Sequence, residues 1–318
     1  MPPFPKPSFP YDYELPAQRA ALREHRATAP GRGIPEKAPD RLLLATWNIA
    51  NLGVQEREAD DYELIAELVS WFDLVAVQET NDNLEGIRAL QERLPDEYSL
   101  LRSDAAGNNE RMVFLYDSRK VTQLEEVGEL SVPPSQLGYI KLEGSEQRFE
   151  GFDRNPYLAL FEAGSLVLQL ANVHLYFGSD SATSMNRRRL ETLAVARWAE
   201  QRRKSSYAST RDIIALGDFN LPKIEPGDPI YDELTARGLE LPQHSTRIGS
   251  SIAADNYYDQ IAFFPGETQD QFTGKAGVFD FDGALFRTLW EDRSREEFLA
   301  YLRYHISDHR PLWAEFQI

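Results

Sequence analysis

A chain of 318 residues without a single cysteine cannot use disulfides, thiolate zinc sites or thiol nucleophiles. Its 51 acidic against 34 basic side chains give a formal charge of −17, which opposes polyanions at long range and argues against a protein that coats nucleic acid. An enzyme acting on one phosphate through a divalent ion and a few local cations remains open, because carboxylates gathered round a metal account for part of the excess. Hydrophobic residues at 42% suit a globular core, and no run approaches the ~18 apolar residues of a membrane span.

Residues 1–40 carry nine of the nineteen prolines and a basic patch at 19–26, so they read as a Pro-rich N-terminal arm lying over the body, with one short helix around 17–22. The first seven residues, Met-Pro-Pro-Phe-Pro-Lys-Pro, have no apolar h-region and are not a secretory signal as given. A cytoplasmic location is the default, and a secreted one holds if a leader has been trimmed. Residues 41–318 then read as a single catalytic domain. A strand over 41–49 precedes a helix with Tyr62, Ile65, Ala66, Val69 and Phe72 at helical spacing, then a strand at 74–79 and a helix near 83–93. The middle is richer in strands, at 98–102, 111–116, 157–162 and 165–174, with an irregular stretch near 131–151. A helix over 186–204, a strand at 212–217, a short helix at 229–237 and strands at 258–264 and 311–317 complete the pattern. Residues 266–305 read as a long loop beside the site with a helix near 295–303. Strands that alternate with helices early and late but run together between predict two packed mixed sheets with helices outside.

Five of the apolar strands end in polar clusters: Trp47-Asn48-Ile49, Gln78-Glu79, Asn172-Val173-His174, Gly217-Asp218-Phe219-Asn220 and Ser307-Asp308-His309. Their order resembles that of the endonuclease/exonuclease/phosphatase superfamily, the metal-dependent phosphoesterases that include deoxyribonuclease I, and the match spans about 41–318. Three shorter stretches resemble the deoxyribonuclease I branch: Asn109-Glu110-Arg111 opening a strand, Phe152-Asp153-Arg154-Asn155-Pro156, and Tyr258-Asp259-Gln260-Ile261. The resemblance implies an α/β (α+β) four-layered sandwich, two mixed β-sheets flanked by helices, and a hydrolase that cleaves phosphodiester bonds with an activated water.

Glu79 and Asp308 are strand-end carboxylates whose buried charge demands neutralisation, and the resemblance assigns both to the metal, with Asn48 able to bridge metal and phosphate. Hard oxygen ligands suit Mg²⁺ or Mn²⁺, with Ca²⁺ also admissible. Asp218 and Asn220 stand two apart, so an extended segment aims both at one phosphate while Phe219 turns inward and Gly217 leaves room for a ligand. The alternative there is an Asx-turn that merely caps the strand. The resemblance also pairs His309 with Asp259 and His174 with Glu110, a carboxylate fixing each tautomer, His309 as general base and His174 as acid or phosphate stabiliser. Both pairs are expected within hydrogen-bond reach, in one cleft with Glu79 and Asp218. Arg154 is expected to grip the phosphate. His25, His244 and His305 have no such partner in the pattern, and Arg187-Arg188-Arg189 reads as a solvated face.

Departures bear on substrate. Ala50 and Asn81 stand where deoxyribonuclease I carries minor-groove arginines, and Asn108 where its groove-stacking tyrosine would be. The expected activity is that of a nuclease, nucleic acid or a small phosphodiester being the substrate and the protein a monomer. The alternatives are a phosphatase or sphingomyelinase-like enzyme on small or lipid phosphoesters, and a silent binding module that has lost catalysis.

Overall fold

Alternate residues of the first strand, β1 (Arg41–Leu52), face opposite ways, and both faces are apolar. Leu42 and Leu44 enter one buried cluster while Leu43, Ala45 and Trp47 enter another. A strand dry on both sides must be covered twice, which is what a layered sandwich does. In this computed structural model, which describes residues 3–28, 33–246, 248–266 and 268–318, the further strands are β2 (Leu74–Asn81), β3 (Tyr98–Arg102), β4 (Glu110–Asp117), β5 (Val121–Glu129), β6 (Tyr157–Ala163), β7 (Leu166–His174), β8 (Ile213–Asp218), β9 (Asp259–Phe263), β10 (Phe272–Val278) and β11 (Leu312–Gln317). They form a six-stranded sheet, β10-β11-β1-β2-β4-β3, and a five-stranded sheet, β5-β6-β7-β8-β9. Each sheet is antiparallel except for one central parallel pair, β1 with β2 and β7 with β8.

Leu42, Leu44, Leu74, Phe114, Leu168, Leu170, Ile214, Leu216 and Phe316 fill the layer between the sheets. The helix Ala59–Ser70 buries the expected Tyr62, Ile65, Ala66 and Val69 against the outer face of the first sheet. The helix Ala182–Lys204 sets Val195, Ala196 and Ala199 against Ala171, Val173 and Ala215 of the second.

Two strands escaped the reading of the sequence, and both are sheet edges. β5 carries three glutamates, and β10, two glycines and a lysine, falls inside the stretch expected to be loop. An edge strand wetted along one side needs neither alternation nor apolar run. The same stretch forms helices at Arg287–Asp292 and Arg295–His305. The N-terminal segment is also more regular than expected: a 14-residue helix, Leu15–Thr28, is fastened where Arg23 grips Glu67 through two bonds of 2.7 and 2.8 Å. Among the described residues, no helix is long and apolar enough to cross a membrane.

Candidate active site

The layer between the sheets changes chemistry along its length, and the inward parity of each strand carries the change. On β1 the inward positions run Leu42, Leu44, Thr46, Asn48; on β7, Leu168, Leu170, Asn172, His174; on β8, Ile214, Leu216, Asp218. Apolar residues give way to amides and then to charged groups. The middle tier is a sealed network. Gln78 Nε2 donates to Asn172 Oδ1 at 2.6 Å and to Thr46 Oγ1 at 3.0 Å, while Asn172 Nδ2 donates to the carbonyls of Val77 (3.2 Å) and Val113 (3.1 Å). Gln78 and Asn172, both members of the polar clusters, thus lock the two sheets in register.

The top tier is the candidate site. Asn48 Nδ2 donates to Glu79 Oε1 and to Asp218 Oδ2, both at 3.1 Å. His174 Nε2 lies 3.8 Å and His309 Nε2 4.0 Å from that same Asp218 oxygen. Behind the rings, Asp259 Oδ2 is 2.7 Å from His309 Nδ1, and Glu110 Oε2 is 3.0 Å from His174 Nδ1. Asp218, Asn220, His174, His309, Asp308 and Arg154 line a cavity of about 460 Å³. Asp259, Glu110, Glu79 and Asn48 stand behind that wall, so the expectation that both carboxylate–imidazole pairs line the cleft holds for the rings and not for their carboxylates.

Glu79 departs from simple parity. Val75 and Val77 face the helix layer, and Glu79 would follow them had its backbone not entered the left-handed region at φ 59°. There the β1–β2 register shifts, and the carboxylate accepts from Asn51 N at 2.8 Å. Asn220, at φ 54°, closes a turn in which its N–H donates to Asp218 Oδ1 at 2.8 Å. The Asx-turn reading and the functional reading therefore coexist, one carboxylate oxygen capping the strand and the other facing the histidines. Gly217, read as room for a ligand, serves the neighbouring strand instead. Its φ is 134°, and a Cβ there would stand 2.1 Å from the Val173 carbonyl oxygen.

Burial pushes the His309 imidazole down, but Asp259, by charge and hydrogen bond, with Asp218 and Asp308 beyond, holds it well above the ordinary histidine range. Burial likewise pushes Glu110 up, and the His174 ring and then Arg154 bring it down to about 2. Asp308 is raised chiefly by burial; the His309 ring pulls it back down, and the charges of Glu79 and, more weakly, Asp218 add to the rise.

Those oxygens fit a hard divalent cation. Asn48 Oδ1 is buried with no partner, and beside it Glu79 and Asp308 are acids that repel each other. Asp218, Asp259 and His309 also offer ligand atoms within 4.8 Å of one another. The bond between Asp259 and His309 already commits one ligand atom of each, so that trio reads as a proton-transferring couple with its neighbour.

Arg154 lines the cavity but is partly committed, its Nε to the His174 carbonyl (2.9 Å) and its Nη2 to that of Leu175 (3.2 Å). Asn220 Nδ2 similarly donates to the Leu175 carbonyl at 2.8 Å. Ala50 is 1% exposed and so does not face a duplex, whereas Asn108 is exposed at the cavity rim. His25 and His305 do have carboxylate partners, Asp280 and Asp61, each at 2.8 Å, though neither ring lines the cavity. The reading of sequence missed three supports. Ser307 Oγ donates to the Asn48 carbonyl (2.7 Å) and accepts from the N–H of Ala50 and His309; Arg57 ties the carbonyls of Ala50, His305 and Ile306 together; and Arg188, expected in solvent, is 1% exposed. Ser307 sits inside a polar cluster and was findable. Arg57 and Arg188 act on carbonyls, which leave no mark in sequence.

No protein-family model matches the chain, and no curated protein is significantly similar in sequence. Solved structures do match. TDP2 of D. rerio, crystallised with a single-strand DNA product, has a TM-score of 0.56 at 16% identity over 87% of this chain and 99% of that one. A mannosyl-6-phosphatase of Bacteroides thetaiotaomicron scores 0.55 at 18% identity, over 87% of this chain and 100% of that one. An endonuclease/exonuclease/phosphatase of Bacteroides vulgatus scores 0.55 at 16%, over 87% and 99%. With two mixed sheets packed between helices and nearly the full length of each compared chain superposed, the protein has the deoxyribonuclease I-like fold of the endonuclease/exonuclease/phosphatase superfamily.

Proposed function

We propose that the protein is a divalent-metal-dependent phosphoric ester hydrolase acting on phosphodiesters, most simply a nuclease. One observation carries this reading: His174 Nε2, His309 Nε2 and Asn48 Nδ2 converge on Asp218 Oδ2, at 3.8, 4.0 and 3.1 Å, at the floor of a cavity of about 460 Å³. A phosphate placed there meets a proton acceptor on one side and a proton donor on the other, the arrangement an in-line displacement by water requires.

His309 takes the proton of the attacking water at Nε2, and Asp259 at Nδ1 stabilises the imidazolium so formed. Asp259 and, more weakly, Asp218 and Asp308 favour the protonated ring, and positive charge beside the last two acids would lessen that pull. Glu79, Asp308 and the Asn48 oxygen would hold a divalent cation, which when bound neutralises the acids and polarises a phosphate oxygen. His174, steadied by Glu110, donates a proton or hydrogen bond to the phosphate; Asp218 orients the water; Asn220 and Arg154, whose Nη1 lies 3.5 Å from Glu110 and 3.4 Å from Asp153, add polar and positive character to the wall facing the remaining oxygens. The matched structures include both a protein seen with DNA and a mannosyl-6-phosphatase, so we choose diester over monoester as a proposal for this chain.

The test is a metal-supplemented panel of single- and double-stranded DNA, RNA, a simple phosphodiester and a simple phosphomonoester. Diester cleavage is expected, with single strands or the small diester cleaved at least as well as duplex and a shallow salt dependence, because the charge of −17 leaves few groups to displace counterions. Monoester hydrolysis without diester hydrolysis would move the protein to the phosphatases.

A further inference from the structure

One wall of the cavity is aromatic and has no part in the chemistry above. Phe177 follows the strand that ends in His174 and is 42% exposed, a cost a core-seeking ring does not ordinarily bear beside a polar site. The ring is held firmly. The Arg188 guanidinium lies over one face, 4.5 Å from the centroid, and its Nη2 donates to the Phe177 carbonyl at 2.6 Å. Arg188 is itself 1% exposed, its Nε has no hydrogen-bond partner, and no carboxylate stands within ion-pair distance of it among the described residues. A buried cation so placed is expensive, and its visible return is to fix Phe177 and, through the Asn220 carbonyl at 3.4 Å, the site floor. The next residue back repeats the device, with Arg187 stacked on Tyr176 at 4.0 Å.

The platform is joined to the reactive centre. Phe177 meets Tyr258 edge to face at 6.3 Å, and Tyr258 lies over His309 at 5.7 Å with its hydroxyl held by Asn256. The cavity lining contains aromatic, polar and charged side chains and no Leu, Ile or Val, so an acyl chain finds no aliphatic surface there while a flat ring finds a prepared face. We propose that Phe177, backed by Arg188, is a stacking subsite for the nucleobase of the nucleotide whose phosphate is cleaved. The proposal rests on the phosphodiesterase reading for the placement of the phosphate, and it narrows the substrate to nucleotides.

The test is calorimetric binding to the full chain of thymidine 5′-monophosphate, 2-deoxyribose 5-phosphate and mannose 6-phosphate, for the wild type, Phe177→Ala and Phe177→Trp. The expected result is thymidine 5′-monophosphate bound about tenfold tighter than deoxyribose 5-phosphate, the scale of one base–aromatic stack, with Phe177→Ala erasing the preference by weakening the nucleotide alone and Phe177→Trp retaining it. Near-ultraviolet circular dichroism confirms that the variants are folded. A nucleotide bound no tighter than deoxyribose 5-phosphate, equal weakening of both ligands in Phe177→Ala, or mannose 6-phosphate matching the nucleotide would each overturn the proposal. A base preference without hydrolysis of any diester would sink the diesterase reading and leave the subsite standing.

Discussion

The two central parallel pairs invite comparison because they are built alike. β1 and β2 are linked through the helix Ala59–Ser70 and flanked by antiparallel β11 and β4; β7 and β8 are linked through the helix Ala182–Lys204 and flanked by antiparallel β6 and β9. Yet their upper ends differ. On β7 and β8 the register runs unbroken to His174 opposite Asp218, and parity alone delivers both side chains. On β1 and β2 it breaks after Asn48 opposite Gln78, and Glu79 arrives only through a left-handed residue. A regular ladder suffices where one imidazole and one carboxylate must project inward. Gathering oxygens from adjacent strands round a single point requires a local distortion, which costs on the order of 1–3 kcal/mol. On our assignment the strained pair supplies Asn48 and Glu79 to the ion and the regular pair supplies His174 and Asp218 to proton transfer, while the turn before β11 adds Asp308 to the first and His309 to the second.

The sharpest way to break that division is to remove the ion. Chelation by EDTA is expected to abolish hydrolysis, and Mg²⁺ or Mn²⁺ to restore it, because Glu79 and Asp308 repel each other and the phosphate alike. Full activity in exhaustively chelated protein would end the metal assignment. On the proton side, His309→Ala and His174→Ala are each expected to lower kcat by roughly 10²–10⁴-fold in folded protein, the range of general acid–base groups. Near wild-type turnover in His309→Ala would place the base elsewhere.

The comparison also assumes that the amide tier, not the site, holds the pairs together. Asn172→Ala leaves Gln78 and two carbonyls without their partner and is expected to cost about 1–3 kcal/mol in urea unfolding. No change would show that the tier does not set the register.

The most local effect concerns Glu191, which is 0% exposed and accepts from Asp153 N (3.1 Å) and Tyr176 N (2.9 Å), the two segments walling the cavity. Burial lifts its carboxyl to about 7 against those bonds and Arg187. A group that holds its proton more tightly folded than unfolded favours the native state most at pH values below the ordinary carboxylate range. That contribution is lost as pH rises through about 7. Glu191→Gln should flatten this fall in stability between about pH 4.5 and 7, and melting curves across that window measure it. An unchanged slope would assign the fall to other groups.

Much of the candidate site could be read from the chain because its side chains on β7 and β8 obey the same two-residue alternation as the apolar residues before them. Once Leu168 and Leu170 are placed inward, Asn172 and His174 follow. The same reading missed β5 and β10, since an edge strand faces water and has no alternation to display. It also put Arg188 in solvent, because a run of three arginines at a helix start looks the same whether its middle member faces water or two carbonyls and a ring.

What the sequence by itself determined is the set of inward-facing groups, since composition and period are local properties of each strand. It determined the absence of thiol chemistry and the acid character expected of the site, and through its resemblance to a family the pairing of His309 and of His174 with an acid. Only the tertiary structure decided which of these groups meet. Asp218 Oδ2 is shared by Asn48 of the other sheet and approached by two histidines, Glu79 is turned inward against its parity, and Phe177 is held exposed over a buried cation. Each is a relation between segments far apart in the chain, set by packing and by the need to satisfy buried carbonyls, and neither leaves a period in the sequence.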